Sequence, residues 1–214
     1  MNDVRVKCRR ISVVTMSVSD IAGVVATMLG VAFIWPQVFR VYSRRSVEGV
    51  SPSSQLIGLS GTLMWLTYGV TIDSLPMILS NTNIELAIIS LVVMLVRKGS
   101  LPLWQPLAAF GTTAVFCAVF ARISPTVVGV AGVIIGTPAI IPQVWRALRT
   151  THLFGVSVSS YSLLATMGTG WFVYGLSIGD PVVSYPNLIL IPSATYIAWR
   201  AWTSHHARDE VSAA

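Results

Sequence analysis

The apolar residues of this chain fall in blocks rather than in stripes. Each block is about 20 residues long, the length a helix needs to cross the roughly 30 Å hydrocarbon core of a bilayer at 1.5 Å per residue. Seven blocks can be read, over residues 21–39, 54–72, 75–96, 102–121, 125–145, 160–178 and 181–199. Inside hydrocarbon a backbone must satisfy its own polar groups, and a chain with runs this long does so as helices. Only 10% of the 214 residues are charged, where a soluble domain carries about a quarter. The expectation is an integral, all-α membrane protein whose first partner is the lipid bilayer.

Connections between the blocks are short, which leaves almost no chain for a soluble domain. Cys8 and Cys117 suggest neither a disulfide framework nor a metal site. The histidines are His152 in a connection and the tail pair His205 and His206. No metal-ligand cluster, nucleophile with a nearby base, or intramembrane acid–base pair stands out, so neither an enzyme nor a cofactor is expected. A net charge of +6 could point to nucleic acid. The basic residues sit in connections, however, where membrane orientation explains them better.

Arg40, Arg44, Arg45, Arg97, Lys98, Arg146 and Arg149 lie in odd-numbered connections, and Arg200 and Arg208 follow the last span. The positive-inside rule then predicts a cytoplasmic C-terminus and an outside N-terminus. The tail with Arg5, Lys7, Arg9 and Arg10 argues the other way. Either later charges overrule it or translation starts at Met16, and the second is the favoured reading. No cleaved signal peptide is expected.

Displaced by 106 residues, the chain aligns with itself without a gap. Gly23, Gly30, Pro36, Gln37, Val38 and Arg40 fall on Gly129, Gly136, Pro142, Gln143, Val144 and Arg146. Gly49-Val50-Ser51 falls on Gly155-Val156-Ser157, Trp65, Tyr68 and Gly69 on Trp171, Tyr174 and Gly175, and Asn81 on Asn187. Four crossings separate the copies, so both have the same orientation and are related by an axis along the membrane normal. The expected fold is two parallel three-helix bundles over 20–98 and 124–203, joined by a linker helix in 99–123 (3+1+3). A tail of 1–19 precedes them and a tail of 204–214 follows. One chain supplies both halves of a pore, so a monomer suffices, and a homo-oligomer is compatible.

A pathway belongs on the seam between the halves. Gly23, Ala26 and Gly30, like Gly129, Gly132 and Gly136, make one small helix face each; the plain reading is close helix packing, and Gly30 and Gly136 also leave room for a ligand. Asn81 and Asn187 interrupt apolar spans and need hydrogen-bond partners, either a neighbouring helix or a hydroxylated ligand. Trp65 and Trp171 offer indole faces to the C–H face of a sugar ring. Pro36-Gln37 and Pro142-Gln143 read as hinges, since proline frees a carbonyl one turn earlier and the glutamine can satisfy such freed groups. The plainer reading is that each proline ends a span at the interface, with Arg40 and Arg146 close behind. Glu85, four residues beyond Asn81, has Ile191 as its repeat partner. It is expected to be neutral and hydrogen-bonded rather than a proton relay.

"WPQV" and "IPQV", "RRSVEGVS", "WLTYG" and "WFVYG", and "DSLPMILSN" with "GDPVVSYPN" together resemble the SWEET and SemiSWEET (MtN3/saliva) sugar transporters of the PQ-loop superfamily. The resemblance covers residues 20–202, with the 16-residue Trp-to-Asn spacing of the bacterial half-size members. It implies a bacterial inner-membrane uniporter that moves mono- or disaccharides down their gradient by alternating access. Trp65, Trp171, Asn81 and Asn187 would line the sugar pocket, with Gly61 and Met167 bearing on the choice between mono- and disaccharide. Pro36 and Pro142 would be hinges of a cytoplasmic gate. Tyr68, Tyr174, Asp73 and Asp180 would lie towards the extracellular gate. The runner-up is a proton-coupled transporter of amino acids or other small polar solutes.

Overall fold

The computed structural model describes residues 16–150, 153 and 156–213, and among these every regular element is helical. The basic tail with Cys8, the choice of start site, His152 and Gly155 lie outside the described residues.

The first helix, α1 (Val18–Arg44), starts in a capping box. Ser17 Oγ accepts from the Asp20 N–H at 3.2 Å, and Asp20 accepts from the Ser17 N–H at 2.8 Å. It ends at Arg45 in the left-handed region. Next come α2 (Pro52–Thr71), α3 (Leu75–Arg97) and α4 (Trp104–Ile123). The second copy of the repeat begins with α5 (Pro125–Gly136), a 3₁₀ turn (Thr137–Ile140) and α6 (Ile141–Arg149). It continues with α7 (Val158–Ser177), the single turn α8 (Pro181–Ser184) and α9 (Asn187–Ala213). The repeated serines are helix caps: Ser51 and Ser157 accept from the Ser54 and Ser160 N–H groups at 3.3 and 3.2 Å.

By length and composition α1, α3, α4 and the run Pro125–Arg149 can cross a membrane. The remaining long helices are richer in hydroxyls. Thr67, Thr166 and Thr169 each donate to the carbonyl four residues back, at 2.8, 2.9 and 2.9 Å. That bond satisfies the hydroxyl internally and makes it tolerable in lipid. The chain is a multi-pass, all-helical membrane protein.

Two of the expected spans are divided. The block at 125–145 breaks at the 3₁₀ turn, where the Ile141 N–H bonds to the Pro138 carbonyl three residues back. Pro138 and Pro142 lack N–H donors four residues apart, so no α-helical ladder can run through them. α1 contains one proline, Pro36, and stays continuous. The block at 181–199 is likewise interrupted after α8. Pro186 cannot continue the ladder, and its carbonyl instead accepts from Ile189 and Leu190 to begin α9. Its repeat partner is Ser80, whose N–H keeps α3 in one piece.

α3 packs on α1 and α2, and α9 packs on α6 and α7. Between the copies α1 meets α7 and α2 meets α5, two contacts that the repeat interchanges. α4 lies against α2 and α5. Small residues set the closest approaches. A Cβ on Gly170 would stand 3.0 Å from Ala26, and one on Gly132 would stand 3.3 Å from the Trp65 ring. The glycine of the W-x-x-Y-G motif has a similar reason. A Cβ on Gly175 would meet the Ser184 backbone nitrogen at 2.6 Å, and one on Gly69 would meet Met77 at 2.9 Å.

Because backbone cannot step aside as a side chain can, Gly175→Ala is predicted to destabilise the fold by about 1–3 kcal/mol. Gly111 in α4 has open space around its missing Cβ. Gly111→Ala is predicted to be neutral or stabilising by up to about 1 kcal/mol. Unfolding of both variants in the same detergent checks this, and equal stability would mean α7 does not abut α8 this closely.

Candidate functional site

Trp65 and Tyr68 lie one turn apart on α2, as Trp171 and Tyr174 do on α7. Within each pair the rings meet edge to face, with centroids 6.2 and 5.6 Å apart. Each tyrosine reaches across to the other copy of the repeat. Tyr68 Oη donates to Asp180 Oδ2 at 2.7 Å, and Tyr174 Oη bonds with Ser74 Oγ at 2.5 Å. Asp180 and Ser74 are repeat partners, and both are helix N-caps. Asp180 Oδ1 accepts from the Val182 and Val183 N–H groups at 2.8 and 3.3 Å. Its carboxylate therefore serves a helix start and the opposite tyrosine together.

The small helix faces seat these rings. A Cβ on Gly129 would come within 3.0 Å of the Tyr68 ring, and one on Gly23 within 3.1 Å of the Tyr174 ring. Tyr68, Met77, Tyr174 and Val183 form one buried cluster that both copies share. The two hydrogen bonds that cross between the copies, among the described residues, both lie at this end. The arginine-rich end, with Arg40 and Arg146, is the opposite one.

Beneath the cluster lies a cavity of about 410 Å³ between the two copies. Trp65 and Trp171, Asn81 and Asn187 all line it, as do Met167 and Gly136. Asn81 Nδ2 donates to the Met77 carbonyl at 2.9 Å, and Asn187 Nδ2 to the Val183 carbonyl at 2.8 Å. Each amide thereby keeps its oxygen and one N–H for the cavity. The lining continues to Phe33 on α1, Thr137 and Ile140 of the 3₁₀ turn, and Tyr161 on α7. It is mostly apolar, with a few polar atoms in pairs, as small-molecule sites generally are.

Other expected residues are placed elsewhere. Gly30 backs onto Ser80, Ile84 and Met167, just behind the wall, and Gly61 faces Ile135 across the α2–α5 contact. Asp73 sits at a φ of 53° in the turn before α3. Among the described residues its side chain makes no hydrogen bond, and its neighbour Ser74 makes the crossing contact instead. Pro36 lies inside α1, while Pro142 lies in the first turn of α6, so the two Pro-Gln pairs stand in different local structures. Gln37 is half-buried on α1. Gln143 Oε1 is buried and, among the described residues, meets no hydrogen-bond partner.

Glu85 is buried on α3, and among the described residues Thr62 is the polar side chain beside its carboxyl group. Thr62 faces it from α2 with its hydroxyl turned to the Gly58 carbonyl. Met77 and Ser80, which lie within the DSLPMILSN motif, and Ile84 beyond it are cavity residues that the sequence reading did not single out. Their signal was helical spacing: with Asn81 they form a stripe three and four residues apart on α3.

The crossing bonds are chemically unequal, because one acceptor is a carboxylate and the other a hydroxyl. A double-mutant cycle of Tyr68→Phe with Asp180→Ala is predicted to give a coupling of about 1.5–3 kcal/mol. The cycle of Tyr174→Phe with Ser74→Ala is predicted to give about 0.5–1.5 kcal/mol. Reversible unfolding of the four single and two double variants checks the order, and equal couplings would contradict it.

Residues 18–77 match the PQ loop repeat family. No curated protein matches the chain. Among solved structures the chain is similar to one described as a eukaryotic SWEET transporter, with a TM-score of 0.70 and 14% identity. That match covers 89% of this chain and 100% of the other. The chain thus carries one segment that matches the PQ loop repeat and has the fold of that solved structure.

Proposed function

We propose that the chain is a membrane transporter that moves a small sugar, a mono- or disaccharide, down its gradient by alternating access. The observation that carries this reading is the cavity between the two copies, with a Trp and an Asn from each on its wall. Indole faces suit the apolar side of a pyranose ring, and amides that donate and accept suit its hydroxyls. Such a site, closed at one end by the crossing tyrosines, needs only a rocking of the two halves to open on the other side. No chemistry is required of it, so the reading is that of a carrier and not an enzyme. Pro36 and the region of Pro142 serve as gate elements. Tyr68, Tyr174 and Asp180 hold the opposite gate, with Asp73 beside it.

In this reading residues 20–98 and 124–203 are the moving halves, and 99–123 is the linker that keeps them parallel. The arginine-rich end faces the cytoplasm of a bacterial cell, with the chain in the inner membrane and its N-terminus outside. The similarity to a SWEET transporter supports a sugar as the cargo. One observation favours the proton-coupled alternative: Glu85 is an acid buried on a membrane-spanning helix.

Uptake of radiolabelled glucose and sucrose into proteoliposomes tests both readings. Without any imposed ion gradient, wild-type flux is expected, and Asn81→Ala/Asn187→Ala is expected to lower it by at least about tenfold, as loss of two buried hydrogen bonds to the ligand predicts. Flux that required a pH gradient and disappeared in Glu85→Gln would replace the uniport reading. No flux of either sugar from folded protein would overturn the choice of cargo.

A further inference from the structure

The two Pro-Gln elements differ in what holds them. In the first copy, α1 is tied to α3 by neutral bonds: near its start Thr27 Oγ1 donates to the Pro76 carbonyl at 3.1 Å, and beyond Pro36-Gln37 the exposed Tyr42 Oη donates to the Ser90 carbonyl at 3.2 Å. In the second copy the tie is charged and forked. Arg200 of α9 donates from Nε to the Ala147 carbonyl and from Nη2 to the Thr150 carbonyl, each at 3.0 Å. These carbonyls belong to the C-terminal end of α6, where orphan acceptors and the negative end of the helix dipole favour a cation.

One turn further along α9 the clamp continues. Ser204 Oγ accepts from the Leu153 N–H at 3.0 Å, and His205 Nε2 lies 3.3 Å from the Leu153 carbonyl. Leu153 itself is fully buried in a cluster with Ala147, Ala194, Ile197 and Ala201. In the register of the repeat, Arg200, Ser204 and His205 correspond to Met94, Lys98 and Gly99. The first copy therefore lacks the residues that make this clamp.

We propose that Arg200 is a positioning residue that fastens α6 to α9, so that the second half bends at the 3₁₀ turn Thr137–Ile140 while α6 and α9 move as one piece. The inference rests on the alternating-access reading for its functional consequence, but the clamp does not. Pro142 stands in the first turn of α6, where a missing N–H removes no helical bond, so it leaves no weak point there. The weak point is one turn earlier, where the hydrogen bonds tighten to three-residue spacing. Thr137 and Ile140 of that turn also line the cavity, so a bound ligand touches the bend itself. A planar guanidinium donating from two nitrogens resists rotation of α6 in a way that a point charge does not.

Dipolar EPR tests this in a background of Cys8→Ser and Cys117→Ser. One spin-label pair joins α6 to α9, at Leu148→Cys and Trp202→Cys, and a second joins α5 to α9, at Ile134→Cys and Trp202→Cys. All three sites are exposed. The α6–α9 distribution is expected to be narrow and unmoved by glucose or sucrose. Arg200→Met is expected to broaden it by about twofold, with Arg200→Lys between the two because it keeps the charge and loses the fork. Any sugar-dependent shift is expected in the α5–α9 pair. In uptake assays Arg200→Met is expected to lower maximal flux by about three- to tenfold while KM changes by less than about twofold, with partial rescue by lysine.

An Arg200→Met distribution as narrow as the parent's would overturn the clamp, and so would a sugar-induced α6–α9 shift as large as the α5–α9 shift. The comparison of widths needs no sugar. A chain that moves neither sugar would refute the proposed function and leave this measurement decisive. Should Arg200→Met fail to fold, Arg200→Lys and Ser204→Ala carry the same comparison, and unchanged widths in both would refute the clamp.

Discussion

Two tyrosines lying against two glycines hold the halves of this protein together, and much of the rest follows from that contact. Tyr68 and Tyr174 cross the seam against Gly129 and Gly23, where a Cβ would crowd each ring at 3.0 and 3.1 Å. Having crossed, each finds the cap of a helix in the opposite copy. A membrane offers no hydrophobic drive for helices to associate, so close packing and hydrogen bonds between helices must supply it. Both are concentrated at one end of the seam. Tryptophans one turn away are thereby set facing a common space, and the asparagines of α3 and α9 enter the same space.

The repeat produces a nearly symmetric cavity in a chain that is mechanically unsymmetric. One proline in α1 leaves a continuous helix, while two prolines four residues apart divide the matching segment into α5, a 3₁₀ turn and α6. A serine at position 80 keeps α3 whole, and a proline at 186 splits α8 from α9. The second copy thus has more points at which the backbone ladder is open. It also has the forked Arg200 contact, which the first copy lacks. Flexibility and restraint have been placed in the same half, next to one another.

Much of the architecture was legible in the sequence because hydrocarbon imposes so few solutions. Block length implied helices, the 106-residue register implied two like copies, and the matched Trp and Asn positions all line the cavity. Other features were not legible. Ser74 rather than Asp73 makes the crossing bond, because a one-residue step around a helix cap turns the side chain to another face. Gly61 packs against Ile135 while its repeat partner Met167 lines the cavity. These two positions lie at like places on α2 and α7, but their neighbours come from different residues.

The sequence by itself determined that the chain is helical and membrane-embedded, that it repeats itself at a displacement of 106 residues, and which polar and aromatic residues are paired by that repeat. These are properties of composition and period, and local chemistry enforces them wherever water is absent. Only the tertiary structure decided which glycine receives which tyrosine, which end of the seam carries the crossing bonds, and where α5 and α6 part. It also brought Arg200 to the carbonyls of α6, some 50 residues away in the chain. Contacts of that kind depend on the rotation and depth of each helix against its neighbours, and packing alone sets those.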